Sequence, residues 1–399
     1  MSRNRRDFLN ACAGTLAFGA GACLAPGVWA QTPGRAASSN YRRLLILVEL
    51  KGANDGLNTF IPYADEAYHA LRPTIGIKRD QVLQLSERFG LHPSLEPLMP
   101  LWSQGELAAV TGVGYPNPNL SHFRSIEIWD TASNSSDYLA DGWLARAFAA
   151  VAPPRSFVAD GIAVGGGDLG PLANGRRALS IQSTDAFLRQ ARLADANDAN
   201  GRAKNEALQH ILRLESEVQS AALNLDPKVT LASAFPNHAF GQQAKTAMQV
   251  IAASPGVAAV RISLGSFDTH QGQAGTQQAL LRQLGEGIDA IKRACVELGR
   301  WGDTAIVTYC EFGRRARENQ SAGTDHGTAN THFVIGGAVK GGLYGEHPSL
   351  TDLTGDGNLR FATDYRSIYH TILSQWWGFS AAQSAAVLGG RYATLPLFG

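Results

Sequence analysis

Four short polar segments of the chain combine carboxylate, amide and imidazole side chains with glycines. The candidate ligands in them are Asp55 and Asn58 in 52–59, Asp268 and His270 in 265–270, Glu311 in 311–314, and Asp325 with His326 in 324–327. Each segment alone has an ordinary explanation as a turn, a helix N-cap or a local ion pair. Oxygen and imidazole ligands with little cysteine suit a divalent ion such as zinc or manganese. Taken together, the four segments therefore predict a metal or acid–base site, with a structural ion-pair network as the alternative.

Ser121 is the candidate nucleophile. It precedes a helical pattern containing Ile126, Ile128 and Trp129, so we expect it at a helix N-terminus, where backbone N–H groups favour an anion. A metal ion beside it would lower the pKa of the hydroxyl and activate it for attack. The alternative is that Ser121 only caps the helix and that His122 is a surface residue.

Five apolar runs, several rich in β-branched residues, predict strands buried on both faces. They cover 44–48, 107–113, 257–264, 304–310 and 333–339. Three of the polar segments follow such a run, and the fourth precedes the last run. Because ligands bind beyond the carboxyl ends of parallel strands, we expect the polar segments to gather in one place.

Helical patterns between these runs place apolar residues on one helix face. They cover 208–218, 284–298 and 368–376. Strands alternating with helices predict an α/β fold with a mostly parallel central sheet and helices on both faces. We expect a single domain over 41–399, with insertions around 134–160 and 183–202. Both insertions are rich in Ala, Asp, Asn, Gly and Ser, which favours solvated loops over a lid.

Residues 1–30 have the three parts of an export signal: basic residues, a weakly apolar core, and a small-residue cleavage site at 28–30. The run from Arg5 and Arg6 to Leu9 resembles the twin-arginine motif. We therefore expect the twin-arginine translocation machinery as a partner and a periplasmic or secreted location. Substrates of that route cross the membrane folded, often with a metal or cofactor already bound.

Two other N-terminal arrangements compete with a cleaved signal. A membrane anchor is disfavoured because the apolar core is shorter than the roughly 20 residues that span a bilayer. A lipoprotein acylated at Cys23 is the minor alternative, since the usual leucine three places earlier is missing. Residues 31–40 are typical of a flexible leader, and no later segment predicts a membrane span.

Charge and cysteine content narrow the function classes further. The net charge of +1 argues against nucleic acid as a partner, because phosphate binding needs clustered cations. After the signal, only Cys295 and Cys310 remain, and we predict two buried thiols rather than a disulfide.

An ordered set of motifs in the mature chain resembles a large family of twin-arginine-exported bacterial proteins that carries only a "domain of unknown function" label. The motifs are 52–59, 121–123, 142–144, 267–270, 311–314, 325–327 and 341–342. That family is similar in turn to the alkaline phosphatase and sulfatase superfamily, whose members use metal ions beside a nucleophile. The resemblance implies an alkaline phosphatase-like fold.

The resemblance also implies residue roles. Ser121 matches the nucleophile, and the matching metal ligands are Asp55 or Asn58, Asp268 with His270, Glu311, and His326 beside Asp325. Phe312 stands where the superfamily usually has a histidine, and Asn58 is a weaker ligand than aspartate. These departures favour one ion or a remodelled site over two ions. No cysteine lies in a Cys-x-Pro-x-Arg context, so formylglycine chemistry is not expected.

The leading hypothesis is an exported, metal-dependent hydrolase of a small-molecule phosphate or sulfate ester. In it, Arg314 or Arg124 neutralises the non-bridging oxygens of the substrate. The alternative is a non-catalytic exported binding or assembly protein on a phosphatase-like scaffold. A cofactor-bearing oxidoreductase ranks last, because neither a dinucleotide fingerprint nor a Cys-x-x-Cys-His haem motif is present.

Overall fold

The computed structural model describes residues 39–165, 167–184, 186–187, 229–254 and 256–399. The strands in these ranges are β1 (Leu44–Leu50), β2 (Phe60–Ile61), β3 (Leu83–Gln84), β4 (Gly90–Leu91), β5 (Leu107–Gly114), β6 (Ala159–Val164), β7 (Ala178–Ile181), β8 (Val257–Leu264), β9 (Thr304–Tyr309), β10 (Asn330–Ile335), β11 (Gly342–Tyr344) and β12 (Thr363–Asp364). The α-helices are α1 (Gly56–Thr59), α2 (Glu66–Leu71), α3 (Met99–Ser103), α4 (His122–Thr131), α5 (Trp143–Ala150), α6 (Ala239–Ala253), α7 (Gln273–Glu297), α8 (Tyr365–Thr371) and α9 (Ala381–Leu388). Short 3₁₀ turns cover Pro93–Leu98, Gly170–Leu172 and Trp301–Asp303, and a π-helical turn covers Ile372–Trp376.

A nine-stranded sheet forms the centre of the fold. Its strand order is β11-β5-β10-β9-β1-β8-β6-β7, with β12 beside β5. All neighbouring strands pair in parallel except β10, which is antiparallel to both β5 and β9. The predicted α/β class with a mostly parallel sheet is thus confirmed, with one reversed strand inside it.

Helices cover both faces of the sheet because successive residues of a strand point to opposite sides. In β1, Leu44, Ile46 and Val48 pack into the core under α6 and α7. Leu45 and Leu47 pack into the opposite core, under α4, α5, α8 and α9. Every residue of β1 is buried, which explains its continuous apolar sequence.

The reversed strand β10 has a direct consequence for the site. The carboxyl ends of β1, β8 and β9 lie at one edge of the sheet because these strands are parallel. Since β10 runs in the opposite direction, its first residue, Asn330, lies at that same edge. The polar segment at 324–327 precedes β10 and therefore reaches the edge where the other polar segments end.

Several sequence predictions need correction. The last predicted strand, 333–339, is shifted to Asn330–Ile335, and the run ends there because Gly336 and Gly337 turn against Thr304 and Trp301. Strands β6 and β7 were not predicted, since the sequence of β6 contains Asp160 and Gly161 within an otherwise short apolar run.

The predicted insertions have different outcomes. The one at 134–160 is not a solvated loop throughout, because it contains α5, where Trp143 and Leu144 are fully buried against the sheet. The predicted helix at 208–218 and most of the insertion at 183–202 lie outside the described residues.

The remaining predictions on cysteines and membrane spans can be compared directly. Cys295 and Cys310 are both buried and unpaired, as predicted. Over the ranges that the structure describes, none of the helices combines the length and the apolar character needed to cross a bilayer.

Candidate metal centre

Loops from three strand ends touch each other at the carboxyl edge of the sheet. Gly52 lies two residues after β1, and Glu311 lies two residues after β9. The Gly52 N–H donates to Glu311 Oε1 over 2.9 Å. A Cβ atom on Gly52 would lie 2.7 Å from the backbone nitrogen of Asp268, and the φ of Gly52 is +104°. Only glycine combines that backbone conformation with such a close approach. Gly52 therefore lets the loops after β1, β8 and β9 meet.

Four side chains converge above these loops. Candidate ligand atoms of His122, Asp268 and His326 all lie within 4.8 Å of one another. Asp268 Oδ2 is 3.4 Å from His122 Nε2, and Asp268 Oδ1 is 3.2 Å from His326 Nε2. His270 adds a third imidazole, whose Nε2 is 3.0 Å from both Asp268 Oδ1 and His326 Nε2. The side chains of Asp268 and His270 are 43% and 44% exposed, so the cluster is open to solvent.

All three histidines are oriented through their Nδ1 atoms. In each, Nδ1 lies beside an oxygen that can only accept a hydrogen bond, so a neutral ring that donates from Nδ1 keeps its Nε2 lone pair on the side of the cluster. The three bonds are His122 Nδ1 to Glu311 Oε1 (2.8 Å), His326 Nδ1 to the Leu120 carbonyl (2.8 Å) and His270 Nδ1 to Asp325 Oδ1 (3.3 Å). Carboxylates and carbonyls orient metal-binding histidines in this way.

This arrangement fits a bound cation. His270 Nε2 and His326 Nε2 lie 3.0 Å apart, so a cation between the two rings could be bound by both when their Nδ1 atoms carry the protons. His122 Nε2 is buried, yet within the described residues it makes no hydrogen bond. Ligands about 2.0–2.1 Å from a tetrahedral ion lie about 3.3–3.4 Å apart. The separations from the Asp268 oxygens to the three Nε2 atoms, 3.0–3.4 Å, are close to that value.

Asp268 is held as a carboxylate. Partial burial acts to raise its pKa, but the guanidinium of Arg314, 2.7 Å from Oδ1, and the neighbouring histidines outweigh this effect and lower the pKa to about 2. The side chain is therefore negatively charged at neutral pH and available to a cation.

Glu311 and Asp325, predicted as metal ligands, lie one layer behind the converging atoms. Glu311 is 1% exposed and bonds the far nitrogen of His122, and Asp325 bonds the far nitrogen of His270. The hydrogen bond that His122 donates to Glu311 raises the pKa of His122, although burial opposes it. Each carboxylate thus orients a histidine of the cluster through one oxygen, whereas Glu311 Oε2 is buried and within the described residues makes no hydrogen bond.

His122 was missed as a ligand by sequence reasoning. It is the first residue of α4, and the preceding Ser121 drew attention as the cap or nucleophile. The sequence feature that pointed to His122 was its position beside Ser121 in the motif at 121–123. Phe312 was read only as a lost histidine, but its ring lies 5.0 Å from that of His122 and 4.9 Å from that of His326 and packs against both.

Asp55 and Asn58, predicted as ligands, lie in a buried hydrogen-bond network rather than in the cluster. Arg72 forms a fully buried ion pair with Asp55 at 2.5 Å and donates to Asn58 Oδ1 at 2.7 Å. Gln273 also donates to Asp55, and Tyr68 to Asn58. These residues form a buried network that fixes α1 and the loop before it.

Arg314 does not face the substrate side. Its guanidinium is fully buried and bonds Asp268 Oδ1 as well as four backbone carbonyls. These belong to Gly52 (2.6 Å), Ala53 (2.7 Å), Phe267 (3.0 Å) and Thr324 (2.9 Å). With its three nitrogens bonded to five acceptors, Arg314 links three loops and positions Asp268, and it lies beneath the cluster rather than exposed beside it.

Arg124 is also turned away from the cluster. Its guanidinium donates to carbonyls in the loop at 134–137, pairs with Glu127 at 2.8 Å and stacks on the ring of Tyr138 at 3.9 Å. The side chain is 9% exposed. In this arrangement Arg124, predicted to neutralise substrate oxygens, holds the neighbouring loop at 134–137.

Ser121 is exposed at the N-terminus of α4, between two residues of the site. The carbonyl of Leu120 orients His326, and His122 on the other side supplies a converging nitrogen. Ser121 occupies the N-cap position, but its side chain makes no capping hydrogen bond. The hydroxyl is thus free of the structural task that was the alternative explanation for this serine.

Comparison with known families gives an assignment. A family model described as "Protein of unknown function (DUF1501)" matches residues 42–391. The chain belongs to this family. The membership predicted from the ordered motifs is confirmed over nearly the whole described domain. Among curated proteins, no sequence matches the chain.

Several solved structures are similar to this DUF1501 member at low sequence identity. They include the zinc complex of the C-terminal periplasmic domain of EptC from Escherichia coli, at 11% identity and a TM-score of 0.41, covering 87% of this chain and 85% of that one. The phosphonate monoester hydrolase of Agrobacterium radiobacter shows 10% identity and a TM-score of 0.38, with coverage of 87% and 77%. A Vibrio parahaemolyticus protein described as belonging to the alkaline phosphatase superfamily shows 9% identity and a TM-score of 0.37, with coverage of 88% and 68%.

Proposed function

We propose that His122, His270, His326 and Asp268 bind one divalent ion, zinc or manganese. The observation that carries this proposal is the convergence of three Nε2 atoms on the Asp268 carboxylate, with every Nδ1 beside an acceptor oxygen. A nitrogen-rich set with one carboxylate suits these ions. A second ion is not proposed, because Asp55 and Asn58 are bound by Arg72.

We further propose that the protein hydrolyses a phosphate or sulfate ester at this site. When bound, a divalent ion supplies Lewis-acid stabilisation of negative charge and lowers the pKa of a neighbouring hydroxyl. Ser121 Oγ forms the new bond to phosphorus or sulfur while the bond to the ester oxygen breaks. Water then releases the acid from the serine, so the net reaction consumes one water molecule.

In this proposal the N-terminus of α4, rather than Arg314 or Arg124, neutralises the non-bridging oxygens of the substrate. Its first-turn N–H groups have no side-chain cap and lie directly after Ser121. Uncapped N–H groups and the helix dipole favour an anion at this end, where the non-bridging oxygens would lie. Arg314 acts through Asp268 and is a positioning residue.

Export remains part of the proposal. The basic residues and small-residue cleavage site of 1–30 support a twin-arginine signal and a periplasmic or secreted location. Fusing residues 1–36 to a reporter that is active only after folded export tests this. Replacing both Arg5 and Arg6 by lysine should abolish export, and unchanged export would refute the assignment.

Metal analysis and ester assays test the enzymatic proposal. Purified protein should hold about one zinc or manganese per chain and release the chromophore from nitrophenyl phosphates or sulfates. Ser121→Ala should retain the metal but lose nearly all turnover. Ser180→Ala, at an exposed serine of β7, is the matched control and should behave as the original protein. Absence of a divalent ion, with turnover unaffected by chelator, contradicts the proposal.

The same experiment separates the two function classes. If the ion is bound and Ser121→Ala changes no biological activity, the protein is a non-catalytic binding or assembly factor on this scaffold. The solvent-open cluster and the free hydroxyl of Ser121 favour the enzyme.

A further inference from the structure

A second feature of the molecule is an arginine-rich cavity of about 550 Å³. Its charged and amide-bearing lining residues are Arg146, Arg155, Arg176, Arg177, Asp141, Asp160 and Asn174. Apolar side chains, among them Phe148 and Pro153, form the rest of the wall. The cavity thus combines a cationic side with an apolar one.

This cavity lies away from the metal centre. Asp160 is the second residue of β6, and Arg177 directly precedes β7. Both strands run parallel to β1, so their first residues lie at the amino edge of the sheet. The metal centre lies at the opposite, carboxyl edge, and the two sites do not share residues.

The positive charges of the cavity are only partly balanced. Four arginines face two aspartates, an excess of two positive charges. Arg177 pairs with Asp160 at 3.1 Å. Arg146 donates to the carbonyls of residues 131, 141 and 387, so its hydrogen bonds go to neutral groups.

Arg155 and Arg176 carry the positive charges of the cavity that no carboxylate in the described part of the chain neutralises. Both are exposed and line the same cavity, and within the described ranges neither has an ion-pair or hydrogen-bond partner. Guanidinium groups bind phosphate oxygens through paired, forked hydrogen bonds. Two free guanidinium groups at one cavity match the charge of one dianion.

We propose that this cavity binds the phosphoryl dianion of a phosphomonoester or phosphonate, with Arg155 and Arg176 as its main charged contacts. The apolar wall at Phe148 and Pro153 receives the organic part of the ligand. The cavity is an additional binding site and takes no part in the hydrolysis proposed at the metal centre.

Calorimetric titration of the purified protein with phenylphosphonate, which has no ester bond to hydrolyse, tests the proposal. The titration is done with and without EDTA, because an ion at the metal centre also attracts phosphonates. We expect one binding event that survives EDTA. The double variant Arg155→Gln, Arg176→Gln should weaken it at least tenfold. Arg282→Gln, at an exposed residue of α7 outside the cavity, should leave it unchanged.

Two results overturn the proposal: binding that EDTA abolishes, or binding that the double variant leaves intact. Sedimentation with vesicles of phosphatidic acid in phosphatidylcholine distinguishes a lipid headgroup from a free ligand as the source of the phosphoryl group. Vesicle binding that depends on Arg155 and Arg176 identifies the headgroup as the source. If neither phenylphosphonate nor these vesicles bind, the proposal is wrong. Unfolding midpoints within 2 °C, roughly the shift of a sub-kcal/mol change, verify that the variants are folded.

Discussion

Replacing Glu311 should weaken metal binding although Glu311 is not itself a ligand. Its Oε1 accepts from His122 Nδ1 at 2.8 Å and from the Gly52 N–H at 2.9 Å. Glu311→Gln keeps an oxygen acceptor but removes the negative charge. Glu311→Leu removes the acceptor and leaves the Nδ1–H of His122 and the Gly52 N–H without a partner. The two variants therefore separate the contribution of charge from that of orientation.

The expected magnitudes follow from these contacts. Loss of a carboxylate that supports a metal-binding histidine typically costs about 10–100-fold in metal affinity. We expect Glu311→Gln to lie near tenfold, because the geometry of the hydrogen bond is retained. Glu311→Leu should lie near 100-fold, since an unsatisfied buried donor adds roughly 1–3 kcal/mol. His122→Ala should lose at least as much affinity as Glu311→Leu.

Zinc affinity is measured by competition with a chromogenic chelator of known affinity. Glu318→Gln is a suitable control, because Glu318 also accepts backbone N–H groups, from Thr74 and Ile75, but contacts none of the three histidines. Its zinc affinity should match that of the unmodified protein. If Glu311→Leu binds zinc within twofold of the unmodified protein while His122→Ala does not, then Glu311 does not position His122.

Three further outcomes are expected. Arg72→Met leaves the Asp55 carboxylate buried and without its cationic partner, so it should lower the free energy of unfolding in urea by about 3–5 kcal/mol. The variant should bind as much zinc per chain as the unmodified protein. Loss of zinc from a folded Arg72→Met variant would instead show that Asp55 contributes to the metal centre. Adding zinc at 100 times its Kd should stabilise the protein by about 2.7 kcal/mol, and a thermal midpoint that zinc and EDTA leave unmoved speaks against the centre. Burial lowers the pKa of His332 to about 3, and in the part of the chain described neither of its ring nitrogens is hydrogen-bonded, so His332→Leu should raise stability at pH 7 by about 1 kcal/mol. The unfolded histidine takes up a proton near pH 6.5, whereas the folded one stays neutral down to about pH 3. The stability gained by His332→Leu should therefore grow by up to about 1.4 kcal/mol per pH unit below 6.5, as measured by urea titrations. A gain in unfolding free energy that does not change with pH would contradict this prediction.

The central strands were predictable from sequence because burial on both faces leaves a continuous apolar run. Residues 44–48 and 257–264 are such runs, and they form β1 and β8. The direction of β10 was not predictable, since strand direction depends on the length and path of the connection rather than on the residues of the strand. The strand β6 was hidden because Asp160 and Gly161 interrupt the apolar pattern, and only the tertiary contacts with β7 and β8 compensate for them.

The candidate site was predictable in part. Asp268, His270 and His326 converge as expected, because their segments end at one sheet edge. Asp55 has the same residue type and a similar position after a strand, yet the ion pair with Arg72, 17 residues later, occupies it. Residue type and spacing do not reveal whether a carboxylate has already found a cationic partner. His122 was overlooked because it arrives from a helix start rather than from a strand end.

The connection between β9 and β10 leaves the sheet and returns to it at the same edge. It carries Glu311, which lies beside His122 Nδ1, on its outgoing arm and His326, whose Nε2 is 3.2 Å from Asp268 Oδ1, on its returning arm. A cation bound at the centre would link His326 of this loop to His122 and Asp268. Binding and release of the metal should therefore change how often the loop opens. The tip of this loop is tied to the same edge, because the carbonyls of Ser321 and Ala322 accept from the N–H groups of Gly272 and Gln273, and Asn319 donates to the His270 carbonyl. A change of length near residue 320 should therefore also disturb His270.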